Sequence, residues 1–267
     1  MKKNIIFLVS FTLLCTTFVY TQNEEIYNKS VGACITVYGI YYNQKGLPEN
    51  YSVGTGFFVG SKEEGTFATA LHVVQGANEV LIDYGYKPGI MPSDFINLTQ
   101  AYPLETRKKY FWVDESRDLI IFKISLLYPE KALSLNTELP LQGEAIHAIG
   151  NTFGNYTMKF SSGQISQIVE GSKMKWIISE FTGLGGGNSG GPVLNKYGDV
   201  VGLVDMQDTR NNTIIWIVPS LYINFLLEDI KLRSGSSEIG EQLDDMIITP
   251  DIYSNLKPYD AEKFKKK

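Results

Sequence analysis

The sequence predicts an all-β protein of two halves closed by one helix, and three observations carry that expectation. Short apolar or alternating runs separated by Gly, Pro and Asn recur between residues 30 and 230, the pattern of many short strands that close into barrels or a sandwich. A polar, Pro-containing stretch near residues 136–140 divides the runs into two series of about 100 residues each. Leu221, Phe225 and Ile230 then lie near helical spacing after Pro219-Ser220, which predicts a closing helix over 220–232.

The elements follow in chain order. Met1-Lys2-Lys3 precede an apolar run over 5–20, and the polar Thr21-Gln22-Asn23-Glu24-Glu25 comes next. Two lysines before an apolar run shorter than the roughly 20 residues of a membrane span read as a signal peptide over 1–21. An uncleaved membrane anchor is the alternative. Cleavage after Thr21 would leave Val19 and Thr21 at the positions that signal peptidase reads, and Leu14 ahead of Cys15 argues against a lipid anchor. The expectation is export, periplasmic or secreted, with no stable membrane insertion once the signal is removed. Of two cysteines in the chain, Cys34 alone then remains, so the mature fold must hold by its core without an internal disulfide.

In the N-terminal half, 22–130, strands are expected over 33–38, 53–59, 66–74, 80–84 and 118–124. Pro88, Pro92 and Pro103 interrupt 85–111, which reads as a surface excursion with room for one strand. The C-terminal half, 131–232, offers runs over 145–149, 158–168, 175–179, 191–195, 200–205 and 213–218. The tail, 233–267, mixes both charges with few apolar residues and reads as a mobile or loosely docked extension.

With 43% apolar residues in 267 the chain buries a sizeable core, which excludes a disordered or fibrous protein. A net charge of -5 and a pI near 5.2 leave no basic face to neutralise a nucleic-acid backbone.

The strongest local signal is Gly187-Asn188-Ser189-Gly190-Gly191-Pro192. A serine hydroxyl needs an adjacent base to become a nucleophile, and the oxyanion it creates needs aimed donors. Glycines permit a tight turn that brings the N–H groups of Gly187 and Ser189 into one small volume. An ordinary glycine-rich turn is the competing account of these six residues. The chain holds two histidines. His72, in Thr69-Ala70-Leu71-His72-Val73-Val74, stands at the end of an apolar strand, which places it at a barrel rim as the base. His147, inside Ala145-Ile146-His147-Ala148-Ile149, reads as structural or surface-lying. A carboxylate should orient the imidazole, and Asp118, ahead of Leu119-Ile120-Ile121-Phe122, fits better than Asp114, which reads as a solvated loop residue.

The order His, Asp, Ser and the strings around them resemble the trypsin-like serine peptidase superfamily, nearest to its HtrA-type and glutamyl-endopeptidase-like bacterial members. Gly54-Thr55-Gly56-Phe57-Phe58 resembles the strand before the histidine. Gly150-Asn151-Thr152-Phe153-Gly154 with Ser162-Gly163-Gln164-Ile165-Ser166 resembles the opening hairpin of the second barrel. Ile215-Trp216-Ile217-Val218-Pro219-Ser220 resembles the last strand and the start of the final helix. The resemblance implies two six-stranded antiparallel β-barrels with a C-terminal helix. It places a catalytic cleft between them, built from His72, Asp118 and Ser189, with Gly187 and Ser189 as oxyanion donors. It also implies peptide-bond hydrolysis through an acyl-enzyme, with protein or peptide substrates and no cofactor.

Two departures matter. The polar stretch after the closing helix is too short for the peptide-binding PDZ domain of HtrA-type proteases. The loop Thr182-Gly183-Leu184-Gly185-Gly186-Gly187 has three consecutive glycines where many relatives have Asn-Pro, which predicts an oxyanion loop incompletely formed at rest. Substrate contacts are expected from Gly183, Val204, Asp205 and Met206, with Gln207 beside them. These favour small or medium apolar side chains, unless Asp205 selects a basic one; its side chain could equally turn toward the triad or solvent. Two distant histidines and one mature thiol suggest no metal site. A catalytically silent binding or chaperone-like protein on the same scaffold is the alternative function, and an esterase using the same acyl-enzyme is a third.

Overall fold

Runs rich in β-branched and aromatic residues form the strands. The computed structural model describes residues 22–61, 65–83, 95–98, 111–123, 129, 131–154, 157–233, 247–248 and 257–258. The expected signal peptide, most of the 85–111 excursion and most of the tail lie outside these residues.

A helix over residues 22–30 (α1), which the sequence pattern leaves unassigned, comes first and buries Ile26 in the core. The first sheet contains β1 (Cys34–Tyr42), β2 (Pro48–Phe58), β3 (Thr66–Ala70), β4 (Glu79–Asp83), β5 (Phe95–Asn97), β6 (Phe111–Asp114) and β7 (Leu119–Lys123). The second is built from β8 (Ala145–Gly150), β9 (Lys159–Glu170), β10 (Lys175–Phe181), β11 (Pro192–Leu194), β12 (Val200–Gln207) and β13 (Ile214–Pro219). Helix α2 (Ser220–Arg233) follows, and two short tail strands, β14 (Ile247–Ile248) and β15 (Lys257–Pro258), end the described chain.

The second half closes as a six-strand barrel in the order β10-β13-β12-β11-β8-β9. The first half departs from the expected closed barrel: its order is β14-β5-β4-β1-β2-β3-β7-β6, and among the described residues its ends do not meet. The physical reason is visible at β5. This three-residue strand pairs β4 on one edge and receives Ile247–Ile248 on the other, so its free edge is not available to β6. Tail residues Lys257–Pro258 pair in parallel with β2.

The core of the first half is aromatic. Phe67 of β3 lies opposite Phe122 of β7, the rings stacked at 4.7 Å, with Phe111 edge-on to Phe122. One apolar cluster continues from these rings through Leu194, Leu203 and Val218 of the barrel to Ile223 and Ile230 of α2. A second cluster, with Ile146, Ile177, Val193 and Ile217, fills the barrel. Helix α2 forms where predicted, with Leu221 and Ile230 on the core as expected but Phe225 turned outward. Tyr222, Ile223 and Ile230 are buried, whereas Phe225 is 59% exposed. Ile223 and Ile230 lie two turns apart on one face, and Phe225, two residues beyond Ile223, falls on the far side.

Candidate functional site

Strand β3 stops at Ala70, and His72 occupies a single 3-10 turn, Leu71–Val73, rather than the strand end expected from the sequence. Asp118 causes the change. Its carbonyl oxygen accepts the Leu71 N–H at 2.9 Å and its Oδ1 accepts the His72 N–H at 2.8 Å, drawing the chain into the turn. Its Oδ2 meets His72 Nδ1 in direct contact. Asp118 holds a left-handed backbone, φ 51°, just ahead of β7. For a residue with a Cβ this conformation is uncommon and persists where surrounding bonds fix it. Asp114 lies apart: its carboxylate accepts from Ser116 Oγ at 2.6 Å and pairs with Arg117, so it ties its own turn and is not a solvated loop residue.

Ser189 stands on a loop pressed between the halves. Its carbonyl oxygen accepts the Thr55 N–H at 2.8 Å, and the next residue, Gly190, donates its N–H to Val204 at 2.7 Å. Gly190 has φ +86°, and a Cβ there would overlap the Thr55 carbonyl oxygen and the Thr69 hydroxyl, so only glycine fits. The Ser189 hydroxyl donates to the backbone carbonyl of Asp205 at 3.1 Å rather than to His72. The N–H groups of Gly187 and Ser189 donate to no acceptor among the described residues.

The glycine loop, expected to be incompletely formed at rest, is a hydrogen-bonded turn. Asn188 N–H and Asn188 Nδ2 both donate to the Gly185 carbonyl, at 3.2 and 2.9 Å. Thr55 Oγ1 donates to the Gly187 carbonyl at 2.7 Å and accepts the Asn151 N–H at 3.0 Å. Asn188 Nδ2 also reaches Thr152 Oγ1 at 3.0 Å. These buried bonds offset the conformational freedom of the glycines, and Thr55, Asn151, Thr152 and Asn188 are residues that the sequence reading did not single out for this task. The faint signal was polar residues in otherwise buried strings, which must find partners.

The expected substrate-contact residues divide. Gly183, φ +82°, and Met206, 48% exposed, lie at the surface. Val204 packs its side chain into the barrel core at 4% exposure, which removes it from any substrate-facing wall. Asp205, 1% exposed, faces neither substrate nor solvent: its Oδ1 lies 3.7 Å from His72 Nδ1. Of the three directions open to it in the sequence, it takes the one toward His72 and Asp118. Burial, then the hydrogen bond and charge of Asp118, push the Asp205 carboxyl up to about 9. Burial also raises Asp118, but the bonds from His72 and Asp205 outweigh it and hold that group below its ordinary range.

The ligand-type atoms of His72, Asp118 and Asp205 lie within 4.8 Å of one another, an arrangement the sequence reading left open as one direction for the Asp205 side chain. The direct contact of His72 Nδ1 with Asp118 makes it a proton-sharing group before it is a cation cage. His147 is buried, stacked on Phe160 at 4.9 Å, with Nδ1 3.1 Å from Ser162 Oγ. Burial lowers its pKa, which keeps it a neutral core histidine.

A family model described as a trypsin-like peptidase domain matches residues 54–203. "Probable periplasmic serine endoprotease DegP-like" of Hahella chejuensis is 29% identical over 196 residues, covering 72% of this chain and 37% of that protein. The magnetosome formation protease MamE of Paramagnetospirillum magneticum is 30% identical over 202 residues, covering 72% of this chain and 26% of its own length. This chain thus spans well under half of either curated relative. Among solved structures, the Rv3671c protease of M. tuberculosis in its active form superposes with a TM-score of 0.60 at 18% identity, over 80% of this chain and 86% of that one, a likeness of fold.

Proposed function

Because the chain belongs to the trypsin-like peptidase family, we propose that it is a serine endopeptidase: Ser189 attacks the scissile carbonyl, His72 takes its proton, and Asp118 orients the imidazole. The observation that carries this reading is the double grip of Asp118 on His72, one oxygen on the ring Nδ1 and the other on the backbone N–H. That grip fixes the Nδ1–H tautomer and leaves Nε2 as the base. Turnover then requires the Ser189 hydroxyl to swing from the Asp205 carbonyl to Nε2. The unpaired N–H groups of Gly187 and Ser189 supply the oxyanion donors, each worth about 3 to 4 kcal/mol in sites of this kind. As the peptide bond breaks, His72 gives that proton to the leaving amine, and water then hydrolyses the acyl-enzyme with His72 again as base.

The substrates are proteins or peptides, with small or medium apolar side chains favoured near Gly183 and Met206. Relatives named as periplasmic proteases support an exported enzyme, and no helix among the described residues is long and apolar enough to cross a membrane. A fluorophosphonate probe tests the reading: it should label the wild-type chain and leave Ser189→Ala unlabelled. Equal absence of label from both would replace the enzyme by the silent binding scaffold, and a peptide-library digest by the unlabelled wild-type chain reports the side-chain preference.

A further inference from the structure

Asp205 is the extra residue of a β-bulge. Val204 pairs with Ile217 and Met206 with Trp216, which leaves Asp205 opposite no residue of β13. A bulge re-aims a side chain, and this one turns a carboxyl into the buried space behind His72 and Asp118. Taken as an ionised group, Asp205 finds no hydrogen-bond donor among the described residues for either of its oxygens. A proton placed on it faces the Asp118 carboxylate, one of whose oxygens lies within 4.8 Å of an Asp205 oxygen.

We propose that Asp205 is a positioning residue of the triad: as a neutral carboxylic acid it donates a hydrogen bond to Asp118 and holds that carboxylate against the His72 imidazole. The inference rests on the proposed peptidase reading for its effect on turnover, though not for its proton. Two neighbouring carboxyls, one buried and the other half-buried, do not readily both ionise. The proton resides on Asp205, the more buried of the two and the one farther from the His72 imidazole, while Asp118 keeps the negative charge that the imidazole needs. The titratable groups facing Asp205 are His72, on the turn after β3, and Asp118, on the turn before β7. The adjoining strands β11 and β13 carry no titratable residue. When alkali removes the proton, a second negative charge arrives beside Asp118 and the bond between them is lost. Activity therefore acquires an alkaline limb set by Asp205.

The first test needs no turnover. In full-length Ser189→Ala, a carboxyl-carbon NMR titration should show one aspartate that stays protonated at pH 7 and is missing from the Asp205→Asn, Ser189→Ala double variant. If every aspartate carboxyl titrates in the acid range, the proposal is overturned. The second test reads kinetics. Asp205→Leu should lower kcat about 10- to 100-fold with little change in KM, and Asp205→Asn, neutral and still a donor, should restore most of that loss while abolishing the alkaline limb. Equal kcat and an unchanged pH profile in the two variants would reduce Asp205 to a packing residue. A wild-type chain that neither turns over nor takes the probe defeats the peptidase reading instead, and the titration still decides where the proton sits.

Discussion

At the scale of single residues, the site is governed by positions where one atom more or one proton less changes the outcome. Gly190 is the steric case. A methyl group there would meet the Thr55 carbonyl oxygen and the Thr69 hydroxyl in a backbone conformation that side chains seldom adopt. Gly190→Ala should therefore destabilise the chain by roughly 3 kcal/mol or more, the range of overpacking and backbone strain combined. Urea unfolding measures it, and a change below about 1 kcal/mol would show that the loop has slack. Asp205 is the electrostatic case. Its ordinary value of 3.8 applies to the unfolded chain, and the folded value is about 9. Between those limits the folded state binds more protons, so the stability linked to this group is whole below pH 4 and drains away as pH rises toward 9. Asp205→Asn removes that dependence. Its melting temperature relative to wild type should accordingly rise from pH 5 to pH 9, and a constant difference would contradict the assignment. The direction of this side chain was not legible in the sequence, because alternation in a strand predicts orientation until a bulge shifts the count by one.

Elements were legible where the pattern was long and local. The runs over 145–149 and 175–179 lie within β8 and β10, and α2 begins at the predicted Ser220. Failures came where a partner distant in sequence decides the shape. The strand expected over 66–74 ends early because Asp118, arriving from β7, captures the backbone at Leu71 and His72. Among the described residues the first sheet stays open, with tail residues Ile247–Ile248 on the edge of β5. Within α2, spacing alone favoured Phe225, whereas contact with both halves selects Tyr222. The Tyr222 hydroxyl accepts the Lys175 N–H at 2.9 Å from β10, and its ring lies 4.5 Å beneath the Arg117 guanidinium from the first half. Tyr222→Phe should cost about 0.5–1.5 kcal/mol for the lost hydrogen bond, leaving the cation–π contact in place. Tyr222→Ala removes both and should cost about 3–5 kcal/mol by denaturant unfolding. Equal losses in the two variants would mean that the ring contributes nothing across the halves.

At the scale of the whole molecule, the question is whether two halves behave as two domains. The chemistry argues for one. His72 and Asp118 come from the first sheet and Ser189 from the barrel, and buried bonds from Thr55 to Gly187 and from Asn151 to Thr36 at 3.0 Å cross between them. The apolar cluster that begins at Phe67 and Phe122 also runs without a break into Leu203, Val218 and Ile223. Unfolding either half would expose that shared surface and orphan those buried polar groups, each at a cost comparable with the few kcal/mol that separate folded from unfolded chains. The halves should therefore unfold together. Tryptophans report on each side: Trp112 lies on β6 of the first sheet, and Trp176 and Trp216 lie edge to face across β10 and β13 of the barrel. A chain keeping Trp112 alone and a Trp112→Phe chain should give urea transitions that coincide with each other after correction for the stability change of the substitutions, and with the loss of far-ultraviolet dichroism. Two separated midpoints would show an independently stable barrel. The triad would then be assembled by docking of two folded bodies rather than by the folding of one.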